Sequence, residues 1–171
     1  MRIVGGRFAG RALTSPNDFR VRPTAEAVRA RLLDLLADDV KGARVLDLFA
    51  GTGALGLEAM SRGATSVDFV ETRPSSLHAL RANVALLRLT KRVRIFKRDA
   101  LPLAAALGRE SYDIAFVDPP YESRMLDRAI DTWRERGFSR VLAVEHARTH
   151  ELPPGVHRES TEETSITIYR M

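Results

Sequence analysis

Cysteine is missing from this chain, which excludes disulfides, thiolate metal sites and a cysteine nucleophile. Long apolar runs are missing too, and none approaches the length of a membrane span. The opening Met-Arg-Ile-Val-Gly-Gly lacks the apolar stretch of a signal peptide. These absences together predict a cytoplasmic protein that does not enter a membrane. Lysine is scarce, with 3 against 24 arginines, and the planar arginine fork suits phosphate. Internal repeats, low-complexity tracts and long linkers are also lacking. What is present is 171 residues, 44% of them hydrophobic, enough to fold as one domain with a buried core.

Charge is unevenly placed. The net charge is +5. Residues 1–31 hold seven arginines (Arg2, Arg7, Arg11, Arg20, Arg22, Arg29 and Arg31) against Asp18 and Glu26, and the rest of the chain balances to zero. A basic N-terminal segment points towards nucleic acid, although genomic base composition also inflates arginine usage.

From Arg44 onward, strands and helices alternate. Apolar segments Val45–Phe49, Val67–Glu71, Val93–Lys97, Tyr112–Val117 and Val141–Val144 read as buried strands. Helices are expected near Ala54–Ser61, from Pro74, over Leu101–Leu107 and around Arg124–Arg136. Val156–Arg158 and Thr164–Arg170 read as a closing antiparallel hairpin. Ahead of this core, residues 1–13 read as two short strands around a Gly-rich turn. A helix then follows Pro23, with Thr24 as its cap and Val28, Leu32, Leu35 and Leu36 on one face. The pattern predicts an α/β protein, a parallel sheet with helices on both faces.

Two motifs carry chemistry. The first is Asp-Leu-Phe-Ala-Gly-Thr-Gly-Ala-Leu-Gly at 47–56, in which Gly51, Gly53 and Gly56 fit G-x-G-x-x-G between a strand and a helix. Glu71 follows at the end of the next strand, at the spacing from Gly51 where an acid accepts from ribose hydroxyls. Asp47 would repel a pyrophosphate and attract a sulfonium or ammonium. Asp99 offers an acceptor to an adenine amine. S-adenosylmethionine satisfies all three acids, whereas a nicotinamide dinucleotide does not.

The second motif is Asp118-Pro119-Pro120-Tyr121, just past a strand's carboxyl end. An ionised Asp118 only accepts hydrogen bonds, and the prolines have carbonyls but no N–H. Asp118 and Pro119 each precede a proline and are held towards extended backbone. A stiff row of acceptors beside an aromatic ring suits a flat ligand with an NH2 group, such as a nucleobase. Guanine, adenine and cytosine amines all fit, so RNA and DNA substrates both stand at this point. A dinucleotide-dependent reductase and a non-catalytic RNA-binding protein are the readings from other classes. His146 and His150, four apart, lack an apparent third metal ligand, so no metal is expected. Trp133 reads as core, and Glu162-Glu163 as a solvated turn.

The chain resembles the RsmD family of bacterial ribosomal RNA methyltransferases. The resemblance runs through Arg2-Ile-Val-Gly-Gly-Arg7, Arg22-Pro-Thr24, Asp47–Ala59, Glu71, Arg98-Asp-Ala100 and Asp118–Tyr121. It implies a Rossmann-like, seven-stranded class I S-adenosylmethionine-dependent methyltransferase sheet with an N-terminal hairpin and helix extension over residues 1–40. It implies that Asp47, Ala50, Gly51, Gly53, Glu71, Asp99 and Ala100 hold the cofactor. Asp118, Pro119 and Tyr121 would act on the N2 amine of a guanine in small-subunit ribosomal RNA. Arg7, Arg11, Arg22 and Pro120 would contact the substrate. The expected assembly is a monomer acting on RNA within a small-subunit particle.

Overall fold

A computed structural model describes residues 1–16, 25–121 and 123–171. Arg22, and the helix start expected at Pro23 and Thr24, lie outside the described residues.

Seven strands form one sheet among the described residues, in the order β3-β2-β1-β4-β5-β7-β6. They are β1 (Arg44–Asp47), β2 (Ser66–Val70), β3 (Val93–Phe96), β4 (Tyr112–Val117), β5 (Ser139–Ala147), β6 (His157–Ser160) and β7 (Thr164–Arg170). The first five are parallel, and β7 runs antiparallel between β5 and β6. The helices are α1 (Glu26–Leu35), α2 (Ala37–Val40), α3 (Ala54–Ser61), α4 (Pro74–Leu86), α5 (Ala100–Ala106) and α6 (Met125–Arg136).

Alternation along the strands builds two cores, because successive side chains point to opposite faces. Val45, Ile114, Phe116, Val141 and Ala143 pack with residues of α1, α3 and α4. Leu46, Ala115, Val117, Leu142 and Val144 pack with residues of α5 and α6, including Trp133. Trp133 is core as expected, and its indole N–H donates to the Ser139 carbonyl at 2.9 Å. The expected strand and helix positions hold to within a few residues. β5 is longer than expected because β4 and β7 pair with it on both sides.

The N-terminal segment departs from two regular strands. It turns back antiparallel, but its ladder is a single bridge between Arg2 and Ala12 around a 3-10 turn, Gly6–Phe8. Glu58 explains the difference. It takes the Val4 and Gly5 N–H groups at 2.9 and 2.7 Å, removing them from pairing within the hairpin. Glu58 is fully buried in α3 and also receives Arg29 and Arg62. Arg29, fully buried as well, donates to the Arg2 carbonyl.

Candidate functional site

The sheet order reverses between β1 and β4, and ligands of open α/β sheets bind at such a point, beyond the strands' carboxyl ends. A cavity of about 960 Å³ lies there. Asp47, Ala50, Gly51, Glu71, Asp99 and Ala100 line it, together with the acceptor rim Asp118–Tyr121. The two sequence motifs, far apart along the chain, therefore share one pocket.

Each residue around the glycine loop has a local cause for its position. Gly51 has φ +54°, and a Cβ built on it would meet nothing within 4 Å, so its backbone faces open space that a ligand could fill. Gly53 does not line the cavity; it caps α3 at φ +80°, where a Cβ would lie 2.3 Å from Leu80. Glu71 is fixed by three backbone donors, Gly51 N–H at 2.8 Å, Thr72 N–H at 2.7 Å and Arg73 N–H at 2.8 Å. Its Oε2, with one backbone donor, retains a lone pair for a further hydroxyl. Asp99 precedes α5 without capping it through its side chain and is exposed at the cavity wall. Asn83 of α4 ties the glycine loop to the N-terminal segment, donating to the Thr52 and Thr14 carbonyls at 3.0 Å each.

Asp47 is buried at the floor and accepts the Gly56 N–H at 3.1 Å. Burial pushes its carboxyl up to about 7; the Gly56 N–H opposes this, while the negative charges of Asp118 and Glu71 add to it. A floor so short of positive charge fits a cationic ligand.

At the acceptor rim, Pro119 is buried and Pro120 exposed. The Pro120 carbonyl accepts Ser123 Oγ at 2.8 Å, so part of the expected acceptor row is engaged internally. The Tyr121 hydroxyl lies 3.2 Å from Thr164 Oγ1 at the start of β7, which anchors the ring.

Arg7 and Arg11 are exposed but do not line the cavity. Arg7 stacks over Phe8 at 4.4 Å, and the Phe8 N–H donates to Ser61 Oγ at 2.9 Å, at the end of α3 away from the pocket. Ser61 lies seven residues along α3 from Ala54 on the cavity wall, about 10 Å at 1.5 Å per residue. Among the described residues, Arg73 and Arg98 are the exposed arginines on the cavity wall.

Sequence reasoning missed Glu145, which is 5% exposed on β5 and lines the cavity. The available signal was an acid ending the apolar run Val141–Val144. Glu162 and Glu163 are exposed as expected, but their turn borders the pocket. His146 bonds Thr167 Oγ1 at 2.9 Å and His150 bonds Asp127 at 3.1 Å. No group of three potential metal ligands stands together among the described residues. No helix among them is long and apolar enough to cross a membrane.

Comparison with known proteins agrees with this geometry. The family model described as "Conserved hypothetical protein 95" matches residues 1–169. Ribosomal RNA small subunit methyltransferase D of Escherichia coli K12 is 34% identical over 93% of this chain and 83% of its own length. The solved structure of the E. coli protein yhhF is 31% identical, with a TM-score of 0.86, covering 99% of this chain and 97% of that one. An RNA methyltransferase of Salinibacter ruber in complex with S-adenosyl-L-homocysteine shares the fold. It is 15% identical, with a TM-score of 0.69 over 87% of this chain and 93% of that one.

Proposed function

Because the chain belongs to the RsmD family of S-adenosylmethionine-dependent ribosomal RNA methyltransferases, we propose that the atom it alkylates is the exocyclic N2 of a guanine in small-subunit RNA. The observation carrying this reading is the single cavity that joins the Asp118–Pro119 acceptors to Asp47, Gly51 and Glu71. When bound, the cofactor supplies an electrophilic methyl on a sulfonium. Asp47 would face its positive charge, Glu71 would accept from the ribose, Asp99 would accept from the adenine amine, and the Gly51 backbone would leave it room. Ala50, Gly53 and Ala100 shape the loops around it.

The N2 lone pair of guanine is delocalised into the ring, so attack needs the nitrogen to become tetrahedral. Asp118 and the Pro119 carbonyl accept its two N–H bonds and draw them into that geometry. They also stabilise the positive charge that grows on nitrogen. The cofactor would supply the methyl, and Asp118 or water would take the surplus amine proton. Tyr121, anchored by Thr164, stacks on the base. Pro120 lines its entry. The base reaches the pocket by leaving its stack. Arg7, Arg11 and Arg22 hold the RNA backbone. The substrate is met within a small-subunit particle in the cytoplasm, by a monomer.

Asp118→Ala tests the reading. It should bind S-adenosylmethionine like the parent and lose about 10²–10³ in methyl-transfer rate. Near-normal turnover would remove Asp118 from the chemistry. Mapping methylguanine in ribosomal RNA from a deletion strain, with and without this chain restored, identifies the atom and nucleotide.

A further inference from the structure

The mechanism leaves one buried acid of the pocket without a task. Asp47 receives the Gly56 N–H, and Glu71 receives three backbone N–H groups. Glu145 stands outside that cofactor cradle and lines the cavity beside Asp118, Pro119 and Tyr121. The β4–β5 register ends at Val117 opposite Val144. The next residues, Asp118 and Glu145, thus emerge side by side from neighbouring strands about 4.8 Å apart. On its other side Glu145 lies opposite Ile166 of β7. A carboxylate at this point carries two acceptor oxygens towards the cavity that Asp118 and Pro119 also line.

We infer that Glu145 selects guanine, accepting the base's N1–H while Asp118 and the Pro119 carbonyl accept the N2 amine. The inference rests on the N2-guanine reading and adds to it. Guanine's edge presents N1–H and N2–H as adjacent donors, matched by adjacent acceptors on β4 and β5. Adenine places an unprotonated N1 beside its amine, and cytosine an unprotonated N3. In either case a lone pair would face the Glu145 carboxylate. The Asp118–Tyr121 rim accepts any of the three amines; Glu145 adds the discrimination that the rim lacks. A site built to hydrogen-bond a donor rejects an analogue without it, because a lone pair then meets a buried acceptor.

The test is a pair of small-subunit particles reconstituted with RNA ligated to carry either guanine or 2-aminopurine at the methylated position. 2-Aminopurine keeps the amine but has no N1–H. The rate ratio between the two substrates is compared for the parent, E145Q and E145A, with S-adenosylmethionine binding by calorimetry as a check of folding. The ratio is read within one preparation, so a partly folded variant still reports it. E145Q, whose amide can turn a donor towards a bare ring nitrogen, should shrink the guanine preference by about 10- to 100-fold. E145A should shrink it mainly by slowing guanine. If the parent methylates guanine N2 and both variants keep the parental ratio, Glu145 does not read the base. If the parent places no methyl on guanine N2, the proposed reaction fails, and this inference fails with it.

Discussion

Asp47 joins charge and burial in one side chain on the cavity floor. Burial first, and the charges of Asp118 and Glu71 with it, push its carboxyl up to about 7. Without ligand it therefore keeps its proton below about that pH, whereas a bound cation favours the ionised form. Affinity for S-adenosylmethionine should fall up to tenfold per pH unit below about 7. Binding near pH 7 should release protons, visible as a calorimetric heat that varies with the buffer's ionisation enthalpy. Asp47→Asn should abolish both effects. The sign for folding is opposite to that of a salt-bridged acid. The folded chain holds this proton more tightly than the unfolded one. Its stabilising contribution is complete below the ordinary value of 3.8 and is lost as pH rises towards about 7. Asp47 and Asp118 were legible in the sequence because each ends an apolar strand within a glycine- or proline-marked motif, and Glu71 because it ends the next strand 20 residues after Gly51. Glu145 ends such a run as well, but no glycine or proline follows it. What assigns it to the pocket is its register with β4, and sequence spacing alone cannot supply that.

At the level of elements, the β–α alternation was readable because buried parallel strands are short apolar runs and the helices show an apolar face. Leu77, Leu80 and Val84 of α4 and Leu126, Ile130 and Trp133 of α6 are buried as their spacing requires. The N-terminal hairpin was less readable, since its backbone donors go to an acid far along the chain. That contact makes α3 an anchor. Removing the Glu58 carboxylate strands buried Arg29 and two backbone N–H groups. Glu58→Ala should cost about 3–5 kcal/mol, read from urea unfolding midpoints. The double variant Arg29→Met/Glu58→Leu should recover part of this, because it removes the stranded charge, but not all, because Val4 and Gly5 still lose their acceptor. Gly51→Ala should cost about 1–2 kcal/mol for a side chain at positive φ. It should also weaken cofactor binding, because its methyl enters the cavity.

For the whole molecule, the charge excess sits in the N-terminal fifth, and the pocket opens at the carboxyl edge of the sheet. Replacing Arg7 and Arg11 by alanine should lower RNA affinity and reduce the slope of log K against log salt by about 1.4 for single-stranded contacts. An unchanged slope, measured by filter binding over a salt series, would place the phosphate contacts elsewhere, with Arg73 and Arg98 on the cavity wall as the next to replace. Glu58 and Ser61 clamp the basic turn to one end of α3, while the other end meets the cofactor pocket. If Arg7 and Arg11 grip the RNA as proposed, the helix would work as a ruler. Its length would set how far along the strand that grip falls from the base in the pocket, about 10 Å from Ala54 to Ser61.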